Sequence, residues 1–383
     1  LSKPSNTSQL TRREFVAGGA ALVTGTALAS CLPGVDGRWV PEAEQACAWT
    51  APQVTPGFPA QAGRVVSIHN WNMVNPPPQV KINEEHVAPT LAALLKKLTG
   101  ESELSRAWAA LLPGYQAGQV VGIKVNTLNS KVPTHPEVIQ ALVQSLKDHA
   151  QVPGSDILVW DRRLDELLKA GFKESTIGCK VIGTVDDTAS QGDGPGYEPE
   201  GICLGSERGR LTKLITKSGD QGGIDHLINV AVLKNHLASG FTGVLKNHYG
   251  TFHNPGTFHD KVDVSTGQLL EKRFEQAIPT INALPEVAKK SRLWLMDATI
   301  VVTKGDTDAA ADWIPYLLLG SLDPVALDAR GRAIRDESVV ASGAPKPDET
   351  ISEGWLVACE RVGLGSATVA TLEHEDITNT YEL

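Results

Sequence analysis

The sequence predicts an α/β fold: a largely parallel sheet flanked by helices, in one lobe or two, with a crevice at the C-terminal ends of the strands. Two observations carry this. From Arg64 onward, short β-branched runs alternate with longer amphipathic stretches, and that alternation marks strand–helix–strand units with parallel strands. Polar residues (Asn126, Asp161 and Lys234) stand at or just past the ends of apolar runs, where open α/β sheets bind ligands.

Taken in order, residues 1–30 read as a targeting segment. Arg12-Arg13 precede an apolar run from Val16 to Ala29 that is too short and too rich in Gly and Ala to span a bilayer. Paired arginines before such a run mark twin-arginine export. Leu28-Ala29-Ser30-Cys31 has the form of a lipoprotein cleavage box. The chain is therefore expected outside the cytoplasm, in the periplasm or its equivalent, held at a membrane surface by a lipid on Cys31, whose buried CH₂ groups contribute about 0.8 kcal/mol each. Residues 31–61 carry repeated Pro and Gly without a hydrophobic period and read as a tether. Residues 62–383 form the α/β domain, as one unit or two subdomains.

Within it, Arg64–Ile68 reads as a strand, and 84–98 and 101–112 have helical spacing. A strand at 120–125 leads to a helix at 135–150, where Thr134 and Glu137 have capping-box spacing. A strand at 157–160, a helix at 163–170 and a strand at 180–183 follow. Residues 187–201 form a loop, and 227–233 a strongly apolar strand. The helical stretch 275–290 bends at Pro279 and Pro285. Strands at 293–296 and 316–319 precede a helix that opens with Asp323 as N-cap and Pro324 in its first turn. A last helix spans 352–361.

The chain has 35 basic and 44 acidic residues, a net charge of −9. An acidic chain without basic runs argues against nucleic acid as a partner, though not against an anion in a locally basic pocket. The five cysteines match no zinc or iron–sulfur spacing. With Cys31 lipidated, the other four allow one disulfide, such as Cys179–Cys203, or buried free thiols.

One stretch is unlike the rest. The strand ending at Lys234-Asn235-His236 runs into Gly240 and Gly243, then Lys246-Asn247-His248, with His253 and His259 beyond; five of the ten histidines lie between His226 and His259. The glycines permit tight turns and close backbone approach to a ligand. Backbone amides beside Lys234 and Lys246 suit a small anion, and imidazoles supply acid–base chemistry or metal ligation. His236, Lys246 and Asp161 are the catalytic candidates. Lys124, Asn126, Lys234, Gly240, Gly243 and Asn247 are the cofactor-binding candidates, and His248, His253 and His259 the metal candidates. Lys124, inside an apolar strand, needs an acidic partner or an anionic ligand. Asp297, after Met296, is a further strand-end candidate.

The runs Ile228–His236 and Thr242–Gly250 resemble the central signature of domain-of-unknown-function family 362. Gly122–Asn126 with His135–Val138, Leu295–Ala298 and Leu322–Asp328 fit the same family, so the resemblance covers roughly residues 64–340. Many members carry a ferredoxin-like cysteine module. This chain has none, so no iron–sulfur cluster is expected. His236, Gly240, Gly243 and Lys246 are also similar to a loop of the nickel-dependent lactate racemase family, where the lysine bears a nickel-pincer nucleotide. That resemblance implies cofactor contact at Lys246, proton transfer at His236 and a metal ligand at His259. It departs at Trp160-Asp161-Arg162-Arg163, where the racemases carry a further histidine. The expected function is an exported cofactor- or anion-binding protein, as an enzyme for proton transfer or redox chemistry on a small organic acid, with a divalent metal or nucleotide-type cofactor. The alternatives are a non-catalytic lipid-anchored solute binder, or an accessory subunit to an envelope redox partner.

Overall fold

The computed structural model describes residues 31–33, 39–41, 47, 52, 54, 61–185, 194–263, 269–345 and 350–378. The expected targeting segment, residues 1–30, lies outside them. In chain order the main elements begin with β1 (Arg64–His69), α1 (Glu84–Thr99), α2 (Leu104–Leu111), β2 (Val121–Lys124), α3 (Pro136–His149), β3 (Ile157–Asp161), α4 (Leu164–Lys169) and β4 (Lys180–Gly183). They continue with β5 (His226–His236), β6 (Gly240–Thr242), α5 (Val244–Asn247), α6 (Phe274–Ala283), β7 (Ser291–Val302), β8 (Leu317–Ser321), α7 (Pro324–Ala341), α8 (Thr350–Arg361) and β9 (Thr371–Asp376).

One sheet orders the strands β9-β1-β8-β7-β5-β2-β3-β4, with β6 hairpinned onto β5. Only β8 and β6 run against their neighbours; β7, β5, β2, β3 and β4 are mutually parallel, as are β1 and β9. The expected fold class is the observed one. β5 is the centre, with all eleven residues buried, which is why its sequence reads as a nearly continuous apolar run rather than an alternation. One face packs Val66, Ile123 and Ile228 against Leu91, Trp108 and Leu142 of α1–α3. The other packs Ala231, Met296 and Trp160 against Phe274, Ile278 and Trp355 of α6 and α8. Among the described residues no helix is long and apolar enough to cross a membrane.

Several local expectations are corrected. The Thr134–Glu137 capping box does not form: His135 is the N-cap, and Thr134 Oγ1 instead accepts from Asn126 N and donates to Val230 O. The tie to β5 fixes the loop before α3 more firmly than a local cap would. Asp297 does not end a strand, because β7 runs on to Val302. Its buried carboxylate accepts from the backbone amide of His135 and lies 2.7 Å from His135 Nδ1. α6 stops at Ala283, and Pro285 opens a separate short turn. Asp323 caps α7 as expected, accepting from Val325 N and Ala326 N at 2.9 Å.

The cysteine pairing also differs. Cys203 is joined to Cys47, while Cys179 is buried and free, as is Cys359. The segment expected as a plain tether is therefore fastened to the body at Cys47, and again where Val54 N donates to Val362 O. Cys31–Pro33 pairs antiparallel with Trp39–Pro41. Proline and glycine content shows that a segment builds no core of its own. It does not show where a distant thiol waits.

Candidate functional site

A cavity of about 330 Å³ opens at the C-terminal ends of β2, β3 and β5, a volume near the lower end of the range for small-molecule sites. Its walls carry Lys124, Asn126, Asp161, Lys234, His236, Lys246, Asn247 and His259 among the expected residues. Strand pleat explains the first of these. Ile123 and Val125 point into the face covered by α1–α3, so Lys124 points to the other, where its ammonium stands over the Trp160 ring, 5.3 Å from the centroid.

Lys124 Nζ donates to Asp161 Oδ1 and Val125 O, both at 2.6 Å, and to Asn247 Oδ1 at 3.3 Å. Burial pushes this ammonium below its ordinary pKa, and the Asp161 charge partly restores it. Asp161 further accepts from Thr127 N, Thr127 Oγ1 and Arg162 N. The carboxylate is thus committed to structure, and a general-base role for it is not what the geometry favours.

Lys234 and Lys246 are placed differently. Lys234 Nζ donates to Asn126 Oδ1 at 2.6 Å. Lys246 Nζ is 3.5 Å from His259 Nε2 and lies over the rings of Tyr249 (4.9 Å) and Phe274 (5.7 Å). Among the described residues neither lysine has a carboxylate within salt-bridge reach. Burial above all pushes both ammonium groups down to about 7. For Lys234, Asp161 pulls back while Lys246 and Lys124 push further; for Lys246, Asp306 pulls back.

The two imidazoles stack, with centroids 5.5 Å apart. His236 Nδ1 accepts from Ala238 N (3.1 Å) and Ser239 N (3.3 Å), which puts the proton of the neutral ring on Nε2. His259 Nδ1 donates to Pro255 O at 3.2 Å, leaving Nε2 as the acceptor toward Lys246. Burial first and the Lys246 charge second hold His236 well below the usual histidine range and His259 at about 3. Both are neutral near pH 7. His236 is then a hydrogen-bond donor at Nε2, and of these three groups it is Lys246 that titrates near neutrality.

Gly240 and Gly243 are not among the cavity-lining residues. Gly240, at φ +82°, makes the β5–β6 hairpin and backs onto Ser352. A Cβ on Gly243 would strike the Asp328 carboxylate, which accepts from Val244 N (2.7 Å) and Leu245 N (3.0 Å) at the start of α5. The glycines therefore shape the turn that carries Lys246 rather than lining the cavity.

The metal set is not assembled. Among the described residues no three His, Cys, Asp or Glu side chains are placed to hold a metal ion. His248 is fully buried and does not line the cavity. His253 turns toward the Arg210 amide and the Tyr197 ring. Only His259 reaches the cavity. The spacing put three imidazoles in one segment, but a loop with several 3-10 turns sends them in different directions.

Arg162, Glu166 and Tyr249 also line the cavity, and sequence reasoning missed them. Glu166 is pushed up to about 7, by burial first and the Asp161 charge second. Its position in the first turn after β3 was the available signal, since that turn borders the strand-end crevice.

The model of the family described as Domain of unknown function (DUF362) matches residues 121–332. The chain belongs to that family. The DUF362 match begins at the first residue of β2 and ends inside α7, so it contains every residue lining the cavity, while β1 and β9 lie outside it. No curated protein matches this DUF362 chain. Among solved structures, a crystal structure of a protein from Thermotoga maritima is similar at 12% identity with a TM-score of 0.37, over 69% of this chain and 60% of that one. The DUF362 chain thus spans less than two thirds of that protein's length.

Proposed function

We propose that this is an exported protein whose cavity binds a small organic anion, with Lys246 as the group that exchanges a proton at it. One observation carries the reading. The Lys246 ammonium is buried in a cavity wall with no carboxylate in reach among the described residues, and an imidazole adjoins it. A buried ammonium without a counter-charge is costly, and an anionic ligand supplies that charge. Bound anion raises the Lys246 pKa. An amine poised near neutrality suits general acid–base work, and His236 Nε2–H supplies a hydrogen bond to the ligand's oxygen.

The export reading rests on Arg12-Arg13 with the apolar run after them, and on Leu28–Cys31 for lipidation. The Cys47–Cys203 bond supports it, because disulfides persist in oxidising compartments. The likeness of His236, Gly240, Gly243 and Lys246 to the lactate racemase loop supports a reactive amine at Lys246. Among the described residues no three side chains are assembled to hold a bare metal ion. The chemistry proposed for the cavity is that of its own side chains, Lys246 and His236.

The test is Lys246→Ala, titrated with small organic acids by calorimetry. Binding is expected to vanish with the circular dichroism spectrum unchanged. Wild-type affinity is expected to fall as pH rises through about 7, because the free-state ammonium deprotonates there. Full affinity in the variant would overturn the assignment. A second reading, a non-catalytic solute binder, is favoured by the commitment of Asp161 to Lys124 and Thr127, which takes that carboxylate out of proton transfer. Proton exchange at the α-carbon of a bound acid, followed by deuterium incorporation, separates the two.

A further inference from the structure

Resting on the anion-binding reading, we infer that the ligand is a dianion, a small acid with two negative charges, because the cavity holds two buried amines, Lys234 and Lys246, that have no acidic side chain within ion-pair distance among the described residues. Of the other charged side chains around the cavity, Arg162 is only half-buried and donates to His253 O. Lys124 is matched by Asp161 at 2.6 Å. Glu166 lies 3.6 Å from Arg163. Asp306, the acid acting on Lys246 from the segment after β7, already accepts from the amides of Leu237 and Thr307. Lys234 and Lys246 are left with neutral partners only, Asn126 Oδ1 and His259 Nε2.

The two lysines also repel each other, and this contributes to the depression of Lys234. A monoanion relieves one of them and leaves the second charge buried and unpaired. A dianion relieves both, and it draws protons onto both amines as it binds. Groups facing Lys234 are Lys124, Asp161, Glu166 and Lys246; those facing Lys246 are Asp306, His236 and His259. Neither imidazole is charged near pH 7, so the two amines, each about half protonated there in the empty site, are the groups that a bound anion would hold in their charged form.

The experiment compares acids of equal chain length, succinate and butyrate, with methyl phosphate as a dianion that bears both charges on one group. Calorimetry at pH 8 in two buffers of different ionisation enthalpy reads affinity and proton uptake together. Succinate or methyl phosphate is expected to bind roughly tenfold or more tighter than butyrate, with protons taken up on binding. The tighter of the two dianions shows whether the charges sit on separate groups or on one. Lys234→Met is expected to erase the preference for the dianion while butyrate still binds, with the fold checked by circular dichroism. Equal affinity and equal proton uptake for butyrate and both dianions would overturn the dianion inference and leave the anion site standing. Binding of none of the three would overturn the site itself. Both of these outcomes are measured on the wild-type protein, so an unfolded variant does not blunt the test.

Discussion

At the scale of single residues, the cavity contains two kinds of buried lysine. Lys124 is held in a closed set of partners, and its loss would strand Asp161; removing one partner of a buried pair costs about 3–5 kcal/mol. Among the described residues Lys234 has no acidic partner, and its burial works against folding. Its pKa is about 7 in the folded protein and near 10.5 in the unfolded chain. Between those values the unfolded chain binds more protons, so its contribution to stability improves as pH rises from 7 toward 10.5. Below 7 the full penalty is present. Lys234→Met is therefore expected to stabilise the ligand-free protein at pH 6–7, by about 1–4 kcal/mol. The gain should shrink steadily toward pH 10. Urea unfolding of variant and wild type across that range measures it. Asp328 slopes the other way, since burial raises it to about 7 and its contribution falls as pH climbs from 4 to 7. Subtracting wild type from variant removes that contribution. A site that is less stable empty than it need be is a common cost of function.

At the scale of elements, α5 is only four residues long, too short to stand alone. It is held by Asp328 of α7 from below and by Asn229 of β5, whose Nδ2 donates to Val244 O at 2.8 Å. Gly243 is the hinge of that arrangement. Gly243→Ala is expected to cost about 1–3 kcal/mol by overpacking against the Asp328 carboxylate. Because α5 carries Lys246, the same variant should weaken anion binding even at temperatures where it stays folded; a thermal melt and a titration on one sample read both. Much of this was legible in the sequence. Every strand of the parallel half showed as a short apolar run, three of them (β2, β3 and β5) with the polar end that the structure bears out, and His236 and Lys246 were singled out by their place at and after the end of β5. β9 was not legible, because Thr371–Asp376 is polar and mostly exposed at the sheet edge. The roles of Gly240 and Gly243 were not legible either, since Ser352 and Asp328 lie roughly a hundred positions away in the chain. Partners at such range leave no local trace, and the scatter of the three histidines depends on turns whose hydrogen bonds are likewise tertiary.

At the scale of the molecule, the Cys47–Cys203 bond spans 156 positions and ties the N-terminal segment to the part of the body ahead of β5. Constraining so long a loop in the unfolded chain stabilises by about 2–4 kcal/mol. Cys203→Ser is expected to lower stability by that amount under oxidising conditions. Against wild type kept in reductant, the difference should nearly vanish, as denaturant titration in the two buffers would show. Losing the bond should leave anion affinity unchanged, because neither cysteine lines the cavity. The bond also decides how far the body can stray. If a lipid on Cys31 holds the chain to a bilayer, the leash is at most the sixteen steps from Cys31 to Cys47, about 53–58 Å with every residue extended, and it is shorter while Cys31–Pro33 stays paired with Trp39–Pro41. Any neighbour that hands an acid to this protein must then work within that shell above the membrane, and a reducing agent would lengthen the leash without touching the site.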